Sequence, residues 1–253
     1  MKVGDGEIRE REDTDGPVSR RRDLLELGVG YGLILLVIWT QRPWQRVLYC
    51  VEVLFVAVVM WKRFVSWRAM GLRRTNLGRS SWVVAAALAA AAVAVLVASR
   101  ERTLHDVGGL KQFVARYWGY ALWAFVQQIL LQDFFLWRLR RLLPGMSAVT
   151  VAVAAAGMFS LAHLPNPILT TVTLVWGLVA CLAFLRYRNL YPLGLAHAIL
   201  GIAVAVTLPG PVIRNMRVGR GYLTYRVHRQ HRDHVERLGD LGGEFRRTPP
   251  DAH

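Results

Sequence analysis

Residues 123–141 read W-A-F-V-Q-Q-I-L-L-Q-D-F-F-L-W-R-L-R-R, from Trp123 to Arg141. Together with Tyr117–Leu122 the apolar body approaches the length of a bilayer crossing. It ends on Arg138, Arg140 and Arg141, the kind of cluster that holds a span at the membrane surface. Four polar side chains interrupt it: Gln127, Gln128, Gln132 and Asp133. On a helix, Gln127 and Gln128 point about 100° apart, and Gln132 stands one turn beyond Gln128 on the same face. Asp133 lies about 140° round from Gln128, off that stripe. Strongly polar groups are costly against lipid, so the stripe is expected to face other helices. Interhelical hydrogen bonds of about 1 kcal/mol each account for the glutamines taken alone, and an ion pair with the neighbouring arginines accounts for Asp133.

The same pattern recurs along the chain. Seven apolar segments lie at 24–40, 47–61, 82–99, 117–137, 146–163, 168–185 and 192–209. Each is about 15 to 21 residues, close to what a ~30 Å hydrocarbon core requires, and lipid admits such segments as helices. The expected fold is therefore all-α, a polytopic membrane bundle of about seven (roughly six to eight) transmembrane helices over residues 24–209. Residues 1–23 form a polar tail, and residues 210–253 an Arg-rich one. Of the 253 residues, 54% are hydrophobic and 19% charged, with a net charge of +15. So apolar a chain excludes a nucleic-acid binder and a disordered protein, although its basicity alone would fit the first. Cys50 and Cys181, both in apolar stretches, exclude a disulfide framework.

Basic loops place the N-terminus on the cytoplasmic side of a plasma (inner) membrane, with Arg20–Arg22, the Lys62–Arg79 loop, Arg138–Arg141 and Arg186–Arg188 inside. Seven crossings then leave the C-terminal tail outside with its nine arginines, against that rule. In that tail His228, His231 and His234 recur at helical spacing, but Arg229 and Arg232 between them repel a cation, so a solvated basic tail is expected.

Further ionisable residues within apolar segments include Glu52, His163 and His197. Pro165 and Pro167 break the helix after His163, which lets an imidazole sit in a wet cavity rather than in lipid. Each histidine alone reads as a core residue bonded to a backbone carbonyl. Convergence of the two with the glutamine pair would instead make a buried polar cluster fit for proton transfer, metal binding or carbonyl polarisation. Between Asp106 and Asp233 the only carboxylate is Asp133. No phosphate-binding loop and no Gly-x-Ser-x-Gly elbow occurs.

Taken in order, Gln127-Gln128-x-x-x-Gln132, Phe159-x-x-x-His163 and His197-x-x-x-Gly201 resemble the three motifs of the CAAX prenyl protease and bacteriocin-processing (CPBP) family of intramembrane proteases. The resemblance covers about 117–209. It implies a helical bundle around an intramembrane cavity and an endopeptidase acting on membrane-associated peptides or proteins, cut near a lipidated or hydrophobic end. By position, Gln127 and Gln128 take the seats of the family's Glu-Glu pair, Gln132 that of its arginine, and Gly201 that of its Asn or Asp. His163 and His197 keep the histidine roles, assisting catalysis and steadying the oxyanion, with or without a zinc ion as cofactor. Phe159 keeps its motif place.

A glutamine side chain cannot serve as a general base, and two histidines alone make a weak zinc site. Three outcomes follow: a non-catalytic relative that binds membrane peptides, an enzyme using Asp133 or Glu52 as a substitute acid/base, or one using a histidine base with Gln127 or Gln128 polarising the carbonyl. A small transporter component is the rival from another class. Straight full-length spans would set His163 and His197 at different depths. Their meeting predicts an early end to the helix before Pro165, or a short or tilted sixth helix.

Overall fold

The computed structural model describes residues 20–225, so the His228, His231 and His234 stretch lies outside the described residues. Each apolar segment is a helix, and no strand occurs among the described residues. Helices α1 (Arg20–Trp39) and α2 (Trp44–Lys62) are followed by a short α3 (Leu77–Ser80) leading into α4 (Trp82–Arg100). Helix α5 (Leu110–Ile129) runs through a π-helical turn (Leu130–Leu136) into α6 (Trp137–Leu142). Then come α7 (Ala148–Leu161), α8 (Pro167–Tyr187), α9 (Leu190–Thr207) and a short α10 (Gly210–Ile213). Four helices are long and apolar enough to cross a membrane: Trp44–Lys62, Leu77–Arg100, Pro167–Tyr187 and Leu190–Thr207. These four spans are what the structure supports of the expected seven. Helix α7 is apolar but shorter, at 14 residues.

Local chemistry sets the helix starts. Ser147 caps α7 by accepting from the Thr150 amide, Asn166 caps α8 through Leu169 with Pro167 in the first turn, and Asn189 caps α9 through Tyr191. In the centre, α7 and α8 approach closely because their facing residues are small. Ala152, Ala155 and Ala156 are fully buried, and Gly177 meets the Ala156 backbone. Outward faces are apolar and exposed, among them Leu54, Trp61, Val93 and Leu96. Such patches are what an apolar surrounding accommodates.

At one end of the bundle the segments expected inside come together. Arg63 bonds Asp23 at 3.0 Å, Arg138 bonds Glu26 at 2.9 Å, and Arg141 lies 3.0 Å from Asp23. Arg188 donates to the Ala69 carbonyl at 2.6 Å, and Arg73 to that of Tyr187 at 3.0 Å. Asp23, the last residue of the expected N-terminal tail, is thus buried inside α1, which already begins at Arg20. At the opposite end Thr103 donates to the Thr207 carbonyl, and the Gly219 amide to that of Leu164. Residues 210–219, read from sequence as the start of a tail, are therefore packed on the bundle.

Candidate functional site

A cavity of about 490 Å³ opens between α1, α2, α5, the C-terminal end of α7, α8 and α9. Most of its wall is apolar, contributed by residues such as Ile34, Leu130, Met158 and Leu200. Gln127, His163 and His197, expected from sequence to converge, all line it, and so do Phe159 and Gly201. Gln128 stands behind the wall, fully buried.

The glutamine stripe is a hydrogen-bonded ladder. Gln132 donates through Nε2 to Gln128 Oε1 at 3.2 Å, and Gln128 Nε2 lies 3.1 Å from His197 Nδ1. With Gln128 Oε1 already accepting, its amide nitrogen is the donor to that imidazole. The i, i+4 spacing thus does what it allows, and its outcome is to clamp His197 on α5. His163 is held differently. Its Nδ1 lies 2.7 Å from the Phe159 carbonyl oxygen, which can only accept, so Nδ1 carries the proton and Nε2 keeps its lone pair. Both imidazoles sit edge-on to the Phe159 ring, at centroid distances of 4.9 Å for His163 and 5.9 Å for His197. They meet because α7 stops at Leu161, well short of a full crossing, and leaves His163 beyond its end.

Asp133 does not reach this cavity. The π-helical turn buries every residue from Leu131 to Leu136, and Asp133 opens on the ionic end beside Asp23, Arg63 and Arg138. Glu52, the other carboxyl weighed as a substitute, does line the cavity and is buried, with only 6% of its surface exposed. Ser160, three residues before His163, is committed to the Thr170 carbonyl at 2.7 Å.

Two features of the wall escape a motif-based reading. One is Tyr120, seven residues before Gln127 and so on the same face of α5. Its hydroxyl occupies the space that a Cβ on Gly201 would fill. A phenol from α5 thereby fills the place next to His197 where the resemblance expects a polar side chain on α9. Substituting Gly201→Asn is expected to cost about 1–3 kcal/mol through overpacking. Combining it with Tyr120→Ala should recover most of that loss, a coupling that thermal unfolding of the four proteins of the cycle in detergent reads directly. The second feature is the strap after α9. Asn215, Met216 and Val218 line the cavity, held there by Asn166 Nδ2, which donates to the carbonyls of Ile213 at 2.9 Å and Arg217 at 3.2 Å. The sequence signal was present in Leu164-Pro165-Asn166-Pro167, where a buried asparagine between prolines has amide protons to place.

Among the described residues no group of three or more His, Cys, Asp or Glu side chains is placed to hold a metal ion. His163 and His197 alone do not make up a zinc centre, which takes at least three protein ligands.

The comparisons with known proteins agree with the motif reading where they speak. Residues 112–203, rather more than a third of the chain, match the family model described as type II CAAX prenyl endopeptidase Rce1-like. The matched stretch contains Gln127, Gln128, Gln132, Phe159, His163, His197 and Gly201. Comparison with curated proteins gave no match, and comparison with solved structures gave none either. Four apolar helices together with this match mark the chain as an integral membrane protein.

Proposed function

We propose that this chain, Rce1-like over residues 112–203, is a membrane-embedded endopeptidase that hydrolyses membrane-associated peptides or proteins near an apolar or lipidated end. One observation carries the reading: Gln127, His163 and His197, from three different parts of the bundle, line a single and mostly apolar cavity. The apolar wall suits a hydrophobic segment, and the few polar groups suit one peptide bond within it.

Chemically, the Nε2 lone pair of His163 accepts a proton from the attacking water, since Nδ1–H is committed to the Phe159 carbonyl. The Gln127 amide donates to the scissile carbonyl oxygen as it gains negative charge. His197, fixed by Gln128, borders the same space. No step is routed through zinc. The basic residues gathered at the Arg20 end of the bundle support a cytoplasmic N-terminus in a plasma membrane.

The test is direct. Purified chain in lipid vesicles, incubated with a library of membrane peptides bearing apolar ends, is expected to release fragments cut at internal peptide bonds, identified by mass spectrometry. Saturable binding of peptides that stay intact would overturn the enzyme and leave a non-catalytic peptide-binding protein. That second reading is favoured by one feature: neither Gln127 nor Gln128 has a titratable group to act as acid or base.

A further inference from the structure

Helix α2 turns one face inward, and its buried residues are Glu52, Val56 and Val59, spaced as one stripe. A buried carboxyl on an apolar helix is costly unless something uses it. Among the described residues no arginine, lysine or aspartate lines the cavity that Glu52 faces. The other titratable groups on that wall are Tyr31 from α1, Tyr49 from α2, Tyr120 from α5, His163 after α7 and His197 from α9. None of these is a fixed cation, so Glu52 has no ion-pair partner there among the described residues.

Two aromatic contacts fix its depth. The Tyr49 ring lies 6.4 Å from that of Trp123, and the Phe55 ring lies 6.5 Å from that of Phe134. Helix α2 and the α5–π segment therefore run side by side in the same direction. Glu52, between Tyr49 and Phe55, is level with the stretch between Trp123 and Phe134, which is where Gln127 projects into the cavity.

We infer that Glu52 is a catalytic residue of the proposed endopeptidase, the proton donor to the leaving nitrogen, supplied by α2; the inference rests on the hydrolytic reading above. Amide hydrolysis needs one group to take a proton from water and another to give one to the departing amine. His163 Nε2 takes the first proton as the water oxygen bonds to the carbonyl carbon. The tetrahedral adduct collapses, the carbon–nitrogen bond breaks, and the leaving nitrogen takes the Glu52 proton. Imidazolium and carboxylate then face the same cavity, and one proton passing from His163 to Glu52 restores both. The products are a carboxylic acid and an amine, with no other reagent consumed. Gln127 and Gln128 cannot play this part, Asp133 faces elsewhere, and His197 is clamped by Gln128.

The experiment compares wild type, Glu52→Gln and the conservative variant Glu52→Asp, each full length in lipid vesicles, on a peptide the wild type cleaves. Glu52→Gln is expected to lower kcat by about 10²–10⁴-fold while KM stays within about threefold. It should remove one limb of a bell-shaped pH profile of kcat/KM, and leave thermal stability equal or higher, because an unpaired buried carboxyl has been relieved. Glu52→Asp, which keeps a proton to give, should turn over about tenfold or more faster than Glu52→Gln. Cleavage by Glu52→Gln within about threefold of wild type, or a loss of peptide binding and thermal stability along with cleavage, overturns the assignment of Glu52 while the endopeptidase stands. A wild-type chain that binds peptides and cuts none overturns both.

Discussion

Purified His163→Ala protein is expected to cleave membrane peptides about 10²–10⁴-fold more slowly than wild type, the usual effect of removing a general base. The reason is geometric. The Phe159 carbonyl accepts the Nδ1 proton at 2.7 Å, and the Phe159 ring packs edge-on against the imidazole, so the ring is locked with Nε2 as its basic atom. Among the described residues no other imidazole on the cavity wall duplicates that atom, because His197 Nδ1 already accepts from Gln128. The loss should fall on kcat, with peptide affinity nearly unchanged, since the apolar wall that holds the peptide is untouched. Measuring binding by fluorescence and turnover by mass spectrometry on one preparation separates the two. Equal turnover by His163→Ala and wild type would remove the imidazole from the chemistry.

Replacing Arg138 by alanine is expected to lower stability by about 3–5 kcal/mol, because it strips a buried carboxylate of its best partner. Arg138 reaches Glu26 through Nε at 3.1 Å and Nη2 at 2.9 Å, and its Nη1 donates to the Phe134 carbonyl at 2.8 Å. Its guanidinium also lies over the Phe134 ring, 3.9 Å from the centroid. With a relative exposure of 4%, none of this is weakened by solvent. Arg22 and Arg63 remain near Glu26, but Arg22 is half exposed and Arg63 sits at 3.4 Å, so neither replaces a two-pronged contact. Replacing both partners by apolar residues, Glu26→Leu with Arg138→Met, should cost far less than either charge removed alone. Chemical denaturation in detergent micelles, run on the four proteins, gives the coupling. A single-variant loss below about 1 kcal/mol would make this an ordinary surface pair.

Much of this architecture was legible in the sequence because its causes are local. Apolar runs of bilayer length are helices, and the Gln128–Gln132 spacing is a hydrogen-bonded ladder. The double proline after His163 ends a helix early enough for two histidines to share one aromatic ring. What stayed hidden depends on relations between helices. Which of two adjacent glutamines meets the cavity is set by the rotation of α5 against α9, and no property of the dipeptide states it. Glu52 was an open candidate until two ring contacts fixed its level. Asp23 read as the end of a polar tail, because three of the arginine partners that it and Glu26 have come from segments about 40 to 120 positions away. The π-helical turn had no herald either, since Leu130–Leu136 contains neither glycine nor proline.

That turn has a consequence for how this stretch can change. A π segment is, in effect, one residue more than a regular helix would spend on the same climb. Remove a single residue between 130 and 136 and the segment can close into a regular helix that makes the same climb. Arg138 would then keep its bearing on Glu26 while Gln128 kept its grip on His197. Ionic anchor and cavity are joined through one surplus link, a place where the chain can lose a residue without turning one end against the other.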